Sequence, residues 1–158
     1  MKTIKLTQGK VALIDDEDFD RINKFKWTAD KSKNTFYAIR RRFGKKIYLH
    51  RVIINIEKGQ IIDHIDGNGL NNQKSNLRIC TQSENSMNKK KKTGNIGKFK
   101  GVHWNEERKK WKVEIKKKEK RIFLGRFDNQ YEAAIAYDQA AIKYFGNFAR
   151  LNFPINIT

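Results

Sequence analysis

Cysteine is almost missing from this chain of 158 residues, which contains only Cys80. An internal disulfide and a multi-cysteine zinc site each need several thiols, so both are excluded, and we interpret Cys80 as a small buried apolar residue. Long apolar runs are missing as well. None approaches the roughly eighteen residues of a membrane span, and the N-terminal MKTIKLTQGK lacks the apolar core of a signal peptide. We therefore expect a soluble, intracellular, cytoplasmic protein.

Acidic residues are scarce relative to basic ones. The chain has 17 Asp and Glu against 35 Lys and Arg, which gives a formal net charge of +18 at pH 7. Such an excess destabilises a compact fold by self-repulsion unless a polyanion is the working partner. Nucleic acid is therefore the first expectation and an acidic membrane surface the second. Hydrophobic residues, at 38%, are frequent enough to build cores, so the chain is not a disordered basic tail.

Charge also marks a boundary inside the chain. The segment 89–98, KKKKTGNIGK, joins four lysines to a stretch with Gly and Asn, a composition typical of a flexible basic linker. Because apolar patterning continues on both sides, we predict two domains, residues 1–88 and 99–158, joined by this linker. Residues 89–126 carry 16 Lys and Arg against four Glu, so most of the positive field belongs to the linker and the segment after it.

The N-terminal third of the chain has the patterns of short strands and one helix. The segment TIKLTQGKVALID alternates around Gln8 and Gly9 as a hairpin does. The segment DEDFDRINKFKW opens with acidic residues, which favour a helix N-terminus, and continues with apolar residues at helical spacing. These apolar residues are Phe19, Ile22 and Phe25. The acidic run 15–20 has the ligand types of a metal site, but we favour its interpretation as a helix start.

The next segment, TFYAIRRRFGKKIYLHRVI, predicts two strands that turn at Phe43 and Gly44. We assign this region a scaffold role. Its consecutive arginines, Arg40, Arg41 and Arg42, are either contacts to a phosphate backbone or, as we favour, a solvated face.

Segment 60–90 predicts a hairpin followed by a helix. Two short apolar strands, Ile61-Ile62 and Leu77–Cys80, flank a long Asn-rich loop. The sequence Thr-Gln-Ser-Glu at 81–84 then matches a capping box, in which a hydroxyl and a glutamate bind the first amides of a helix. A helix should therefore begin at this box and continue towards the lysines.

Polar residues of this unit suit metal-assisted chemistry. Asp63 and His64 end the first strand, and the capping box places Asn85 on the first turn of the helix, where it can face back onto the hairpin. A carboxylate and an amide oxygen are hard ligands that suit Mg²⁺ or Mn²⁺. An imidazole with an unperturbed pKa of about 6.5 suits a general base near neutral pH. Without further matches, an Asp-His pair in a loop is also explained as a simple turn.

The stretch DHIDGNGLNNQKSNLRICTQSENSMN resembles the HNH (ββα-metal) nuclease motif, in the version found in phage-type homing endonucleases, where the last ligand is Asn. Four residues match its functional positions, namely Asp63, His64, Asn76 and Asn85. The resemblance implies that Asp63 and Asn85 hold a metal ion and that His64 and Asn76 are catalytic. In these roles His64 is the general base and Asn76 holds the loop. It also implies a ββα-metal core over about residues 47–90.

The upstream pair His50 and Arg51 also matches the family, where such a pair has a supporting role. The implied activity is hydrolysis of phosphodiester bonds in double-stranded DNA, in which His64 deprotonates water beside one Mg²⁺ or Mn²⁺ ion per active site. The resemblance implies no small-molecule cofactor and no membrane partner. It favours the cytoplasm of a bacterial or phage-infected host cell. A degenerate, inactive site is the alternative.

The segment 98–154 predicts a basic sheet backed by one helix. In WKVEI, apolar Trp111, Val113 and Ile115 alternate with polar residues, and in RIFLG, Ile122 and Leu124 alternate with Arg and Phe. One sheet face is therefore aliphatic, and the other is basic and carries an aromatic. The helix that covers the aliphatic face is predicted between an Asn129 cap and Gly146. Its apolar positions are Ala133, Tyr137, Ala140 or Ala141, and Tyr144.

These residues resemble the apetala-two (ethylene-response-factor) DNA-binding domain of plant transcription factors and phage homing endonucleases. The matching stretches are KGVHW, KWKVEI, LGRFDNQYEAAIAYDQAA and GNFARLNFP. The resemblance implies that the exposed sheet face enters a DNA major groove. The residues at DNA-contacting positions are Lys100, His103, Glu114, Lys116, Arg121 and Phe123. We interpret Trp104, Trp111 and Tyr137 as core residues.

Together these interpretations predict an α+β fold class. Small N-terminal strands and a helix lead into a ββα-metal HNH nuclease unit, and a three-stranded antiparallel sheet packed on one helix follows. The predicted function is a metal-dependent DNA endonuclease. One alternative is a non-catalytic DNA-binding regulator with a degenerate HNH unit. Another is an RNA-binding protein of ribosomal type, which predicts aromatic residues ready to stack on single-stranded bases.

Overall fold

The computed structural model of the protein describes residues 1–57, 59–89 and 98–154. The chain divides into two compact units, Met1–Asn85 and Ser86–Thr158, and each has a hydrophobic core of its own. Residues 90–97 of the linker predicted at 89–98 lie outside the described residues. Within the described ranges, no helix has both the length and the apolar character that a membrane crossing needs.

The first two strands form the predicted hairpin. β1 (Lys2–Lys5) pairs antiparallel with β2 (Val11–Ile14). Gln8 and Gly9 have positive φ angles of 61° and 64°, as a tight turn between twisted strands requires. Alternation along the strands buries one face of the hairpin in the core of the first unit. The buried residues of this face are Ile4, Ala12 and Ile14.

The helix after this hairpin is shorter than the sequence pattern predicts. A 3₁₀ turn at Asp16–Asp18 leads into α1 (Phe19–Ile22), and Phe25 lies beyond the helix with an exposed ring. The helix ends early because Trp27 turns back into the core, where its indole Nε1 donates to the Ile22 carbonyl at 3.0 Å.

The acidic run 15–20 serves the fold. Asp15 Oδ2 accepts a hydrogen bond from the Lys74 backbone N–H at 2.7 Å. Asp18 is buried and pairs with Arg21 at 2.5 Å and with the Lys74 ammonium at 3.3 Å. These contacts tie the start of the helix to a distant 3₁₀ turn, Lys74–Asn76. They support the interpretation of the run as a helix start.

Three antiparallel strands follow in the order β3-β4-β5. Their bounds are β3 (Thr28–Lys31), β4 (Phe36–Arg42) and β5 (Lys45–Tyr48). The predicted turn at Phe43 and Gly44 is confirmed, because Arg42 pairs with Lys45 across a two-residue loop. Ala29, Ala38 and Ile39 are buried on this sheet.

The prediction that the second strand of this region continues to its end is wrong for the last five residues. Residues Leu49–Ile53 form a short helix, α2, instead of extending β5. Leu49 and Ile53 lie four residues apart, so one helical turn buries both of them against the core of the first unit, and it buries His50 beside Leu49 as well. This helix carries His50 and Arg51.

The segment 60–90 forms a two-stranded antiparallel sheet followed by a helix. The elements are β6 (Ile61–His64), β7 (Leu77–Cys80) and α3 (Gln82–Met87). The predicted capping box is confirmed: Glu84 N donates to Thr81 Oγ1 at 3.2 Å, and Thr81 N donates to Glu84 Oε2 at 2.8 Å.

The long loop between β6 and β7 is held by the N-terminal strands. Leu13 of β2 donates to the Leu70 carbonyl and accepts from Asn72 N, both at 2.8 Å. Gly69 lies so close to β4 that a Cβ atom there would approach Phe36 O and the Tyr37 ring within 2.6 Å. Glycine is therefore required at this position for the loop to pack on the sheet.

The second unit is the predicted three-stranded antiparallel sheet covered by one helix. Its order is β10-β9-β8, and its elements are β8 (Val102–Asn105), β9 (Lys110–Lys117), β10 (Lys120–Phe127) and α4 (Gln130–Phe145). Val102, Val113 and Ile115 are buried beneath the helix. The predicted helix limits are confirmed, since Asn129 Oδ1 accepts from Tyr131 N at 2.8 Å and Gly146 follows the last helical residue.

Small residues let this helix approach the sheet closely. Ala133 and Ala141 have no exposed surface, and Tyr137 is buried between them, as the sequence pattern predicts. Trp104 and Trp111 are only half-buried and pack edge to face on each other, with ring centroids 5.1 Å apart. Gly101, at φ 76°, leaves room for Tyr137, because a Cβ there would lie 2.0 Å from its ring.

Candidate functional site

Asp63 and His64 end β6 and are both buried, with 7% and 6% of their surface exposed. Neighbouring residues of a strand point to opposite faces, so the two side chains have different partners. The partners of His64 come from the loop and from β4, and the ion-pair partner of Asp63 comes from β7.

Asn72, which has no exposed surface, fixes the tautomer of His64. Its Nδ2 donates to the Leu70 carbonyl at 3.0 Å, which turns its Oδ1 towards His64 Nε2 at 3.3 Å. An amide oxygen only accepts hydrogen bonds, so Nε2 carries the hydrogen in this contact. In the neutral ring the lone pair therefore lies on Nδ1, which is the nitrogen able to take a proton.

Two neutral imidazoles lie together at this site. The His50 and His64 rings meet edge to face with centroids 5.1 Å apart. Burial lowers the pKa of His64 below its ordinary 6.5, although Asn72 and the nearby carboxylates oppose the shift. The pKa of His50 falls to about 3, chiefly through burial and then through His64 and Arg51. Both rings are therefore neutral at pH 7, and neutral His64 can accept a proton.

Tyrosine rings complete the surroundings of the two histidines. Tyr37 lies 5.8 Å from His64 and 5.7 Å from His50, and Tyr48 lies 5.4 Å from His50, all measured between ring centroids. Within the part of the chain that the structure describes, buried His50 Nδ1 has no hydrogen-bond partner. Arg51, the other residue of the predicted supporting pair, is exposed.

Asn76 ties the two ends of the loop together. Its Nδ2 donates to Asp66 Oδ1 at 3.0 Å and to the Asn71 carbonyl at 2.8 Å, and its Oδ1 accepts from Asp66 N at 3.1 Å. The side chain is thus occupied in loop closure, the task that the sequence resemblance implies for it. Its part in catalysis stays a prediction.

Asp63 forms a buried ion pair with the residue opposite it. Arg78 stands across the strand pair, and its Nε and Nη2 donate to Asp63 Oδ2 at 3.0 and 2.7 Å. Two N–H groups on one oxygen fix the direction of the carboxylate.

The Cys80 thiol is influenced by both strand and helix residues of this unit. Burial raises its pKa most, the charge of Asp63 raises it further, and a hydrogen bond to the Asn85 backbone opposes the shift. That the Asn85 side chain faces Asp63 stays a prediction. As predicted, Cys80 is buried.

The sheet of the second unit exposes the face opposite α4, and this face is basic. Five of the six predicted DNA-contacting residues lie on it: His103, Glu114, Lys116, Arg121 and Phe123. Lys112 and Arg126 lie on it as well and stand directly opposite each other. The Arg126 guanidinium lies 4.9 Å from the centre of the exposed Phe123 ring. The DNA contacts themselves stay predictions.

The sixth predicted contact, Lys100, has a different environment. It precedes β8, is half-buried, and donates from Nζ to the Met87 carbonyl at 2.6 Å. Burial, together with the charge of Arg150, lowers the pKa of its ammonium to about 8. For contact with a phosphate, the Lys100 ammonium would have to leave this internal bond or share it, which the other five residues do not have to do. Its contact with DNA stays a prediction as well.

Sequence reasoning missed several residues of these two sites. They are Tyr37, Asn72 and Arg78 in the first unit and Lys112 and Arg126 in the second. The alternation in β9 could have identified Lys112, since Glu114 and Lys116 lie on the same side of the strand. The other residues depend on strand register or on contacts between distant segments.

Sequence comparisons match two different parts of the chain to two different families. Residues 48–87 match the sequence profile of HNH endonucleases, and residues 97–147 match that of the AP2 domain. An uncharacterized HNH endonuclease of Acanthamoeba polyphaga mimivirus is 32% identical over 151 residues, which cover 92% of this chain and 76% of the viral protein. The chain belongs to the HNH endonuclease family. Both resemblances seen in the sequence are thereby confirmed.

Other relatives of this HNH endonuclease family member match it over shorter stretches. Protein 3.8 of Escherichia phage T7 is 47% identical over 57 residues, so the match covers 36% of this chain and about half, 47%, of the phage protein. The dehydration-responsive element-binding protein 2C of Arabidopsis thaliana is 49% identical over 47 residues, or 28% of this chain and 14% of the plant protein.

Proposed function

We propose that the chain is a metal-dependent endonuclease that hydrolyses phosphodiester bonds in double-stranded DNA. The observation that supports this most directly is the environment of His64, a buried, neutral imidazole whose tautomer is set by Asn72 and which neighbours Asp63. A general base needs this combination of neutrality and fixed orientation. Membership of the HNH endonuclease family supports the same activity.

The side chains of Asp63 and Asn85 are chemically suited to a hard divalent ion, since Asp63 supplies a carboxylate and Asn85 supplies an amide oxygen. We propose that these two residues hold one Mg²⁺ or Mn²⁺ ion, with Arg78 orienting the Asp63 carboxylate. When bound, the ion stabilises negative charge on the attacked phosphate and on the leaving 3′-oxygen.

The protein's own groups carry the proton transfer. His64 takes a proton from the attacking water at Nδ1, while Asn72 Oδ1 accepts the hydrogen bond that Nε2–H donates and keeps the ring in position. Asn76 holds the loop that carries Asn72, and His50 packs against the His64 ring. Because protonated His64 lies near Asp63 and Asp66, its new charge is partly balanced.

The second unit would bring the DNA to this site. We propose residues 1–88 as the nuclease domain, 89–98 as a flexible linker and 99–158 as the DNA-binding domain. The basic sheet face supplies the cations and the exposed Phe123 that a groove-binding surface needs. We place the activity in the cytoplasm of a bacterial or phage-infected host cell.

Incubation with supercoiled plasmid tests the proposal. Wild-type protein with Mg²⁺ should produce nicked or linear DNA, and EDTA should stop the reaction. His64→Ala should abolish cleavage with DNA affinity nearly intact, whereas Ile65→Ala, which changes an exposed neighbour, should cleave normally. Cleavage by His64→Ala would remove His64 from the role of base. Binding without cleavage by the wild type would favour a DNA-binding regulator instead.

A further inference from the structure

The turn between β4 and β5 exposes an aromatic ring. Phe43, at the tip, is 90% exposed. The Arg42 guanidinium lies 5.3 Å from the ring centre but does not cover the ring. We call residues 41–46, RRFGKK, the basic hairpin tip. An exposed aromatic ring beside cations is the surface type that binds nucleic-acid bases and phosphates together.

The backbone at Phe43 is strained, and no packing of its ring against the described residues offsets the strain. Phe43 and Gly44 have φ angles of 48° and 74°, as a two-residue type I′ turn requires. Asn-Gly is the favoured sequence for this turn, and a bulky residue at positive φ is uncommon and costly. Packing does not explain Phe43, since its ring lies almost entirely in solvent. A partner outside the chain explains both its strain and its exposure.

Charge at the basic hairpin tip indicates the nature of that partner. Arg41 stands opposite Lys46, and Arg42 stands opposite Lys45, so two successive cross-strand pairs carry like charges. Such pairs destabilise a sheet, and here Lys46 is offset by Asp30, whose Oδ2 lies 2.8 Å from its ammonium, while among the described residues no carboxylate pairs with the other three cations. Among the strand pairs described in the first unit, like charges oppose each other only here. The basic sheet face of the second unit has the same feature, where Lys116 stands opposite Arg121.

The basic hairpin tip is joined to the candidate active site by a short rigid path. β5 leads directly into α2, whose His50 packs on His64. The four extended residues of β5, Lys45–Tyr48, span about 14 Å at roughly 3.4 Å per residue. This length corresponds to about four base pairs of duplex DNA at roughly 3.4 Å each.

We propose that the basic hairpin tip is a second DNA-binding element of the chain. Phe43 inserts between base pairs of the duplex, and Arg41, Arg42 and Lys45 hold the flanking phosphates about four base pairs from the cleaved bond. In the described part of the chain these three cations form no ion pair with a carboxylate, so they are available to phosphates. The distance to the cleaved bond rests on the proposed function, and DNA binding by the tip does not.

The substitution Phe43→Asn separates a structural role from a binding role. Asn is favoured at this position of the turn, so the variant should unfold at the same temperature as the wild type or higher. Loss of base stacking should weaken binding to a fluorescent duplex about tenfold, measured by anisotropy in EDTA. The full-length chain is used both with and without Lys116→Ala plus Arg121→Ala, so that the second unit does not mask the effect.

Two matched variants complete the test. Gln8→Asn changes the equivalent turn position of the β1–β2 hairpin, which carries no aromatic tip, and should leave the affinity unchanged. Arg42→Ala should lower the slope of log K against log salt by about one, whereas Phe43→Asn should keep the slope. Phe43→Asn with wild-type affinity in both backgrounds would overturn the proposal, and so would an equal loss of affinity in Gln8→Asn.

Cleavage of plasmid in Mg²⁺ separates this proposal from the nuclease proposal. If the wild type does not cut DNA but Phe43→Asn binds DNA more weakly, the proposed role of the tip stands and the proposed nuclease function is refuted. If the wild type cuts DNA and Phe43→Asn binds and cuts DNA as the wild type does, the proposed role of the tip is refuted and the nuclease proposal stands.

Discussion

Two antiparallel strand pairs of this protein place charges directly opposite each other, with different results. In the pair β6–β7, Asp63 faces Arg78, and both side chains are largely buried. In the pair β9–β10, Lys116 faces Arg121, and both are exposed. The buried charge of Asp63 is balanced by Arg78 within its strand pair. The exposed pair carries two positive charges, of which Lys116 contacts Glu119 at 3.3 Å, so a net positive charge remains, as expected of a surface whose anion is an external polymer.

The two kinds of pair should also differ in what their removal changes. A buried ion pair is costly to break because the remaining charge stays in a region of low dielectric constant. An exposed pair of like charges contributes little to stability or opposes it, so its removal should be felt mainly by the ligand. Stability and DNA binding should therefore respond to different sets of variants.

Arg78→Ala breaks the balanced pair and has the largest expected effect. Asp63 would remain buried without its partner, so the free energy of unfolding of the first unit should fall by about 3 kcal/mol. Urea denaturation followed by tryptophan fluorescence measures this, and Trp27 is the one tryptophan of the first unit.

The double variant Asp63→Ala with Arg78→Ala is the control for that loss. It removes both charges, so it should recover part of the stability lost in Arg78→Ala and still fail to cleave DNA. A wild-type urea midpoint in Arg78→Ala would show that other groups compensate the Asp63 charge.

Asn72→Ala tests a second interior pair, the one between Asn72 and His64. The variant removes the acceptor for His64 Nε2–H, so cleavage should fall about 100-fold while DNA affinity is retained. Plasmid nicking rates and anisotropy measure the two quantities. Asn68→Ala, which changes an exposed residue of the same loop, is the matched control and should cleave at nearly the wild-type rate.

A further variant separates orientation of His64 from general destabilisation. Asn72→Asp keeps an oxygen acceptor opposite Nε2 but loses the bond that Nδ2 donates to the Leu70 carbonyl, so it should restore only part of the activity. Normal cleavage by a folded Asn72→Ala variant would contradict the orienting role.

Local patterns of the sequence were sufficient for much of the fold. The hairpin at Gln8 and Gly9, the turn at Phe43 and the capping box at Thr81 each depend on a few adjacent residues, and each is found in the structure. The alternation in β9 predicts the buried and open faces of the second unit for the same reason. The segment Leu49–Ile53 is the exception, because an apolar spacing of four residues fits a helix as well as the end of a strand.

The contacts of the candidate active site depend on segments that are distant in the sequence. Asn72 meets His64 because Leu13 of another strand holds its backbone. Arg78 meets Asp63 only when the register of β6 and β7 is known, and the long loop between them leaves that register open in the sequence. Tyr37 reaches the histidines because Gly69 allows close packing. Such contacts cannot be read from spacing alone.

Lys116→Ala combined with Arg121→Ala removes an unbalanced pair from the basic sheet face. Binding to duplex DNA should weaken about tenfold or more at low salt, and the salt slope should fall by about two, because two phosphate contacts are lost. Thermal unfolding should change little, since repulsion between the two cations disappears as well. Lys143→Ala, which changes an exposed cation on α4, is a control that should bind normally. An unchanged salt slope would count against the basic sheet face as the DNA contact.

Glu114→Gln changes an acidic residue among the cations of the basic sheet face and has the smallest expected effect. Glu114 is an acid on the basic sheet face, where it pairs with Lys112 at 2.7 Å and stands opposite Phe123. Loss of its charge should free Lys112 for phosphate and raise affinity for unrelated DNA about threefold, since less repulsion opposes binding.

If Glu114 contacts a base, the same change should lower discrimination between DNA sequences, because a carboxylate accepts a hydrogen bond from cytosine N4. Competition binding against a random-sequence duplex library measures both effects, with Glu107→Gln, which changes another exposed acid of the second unit, as the control. Lower affinity for all sequences would mean instead that Glu114 positions Lys112 for binding.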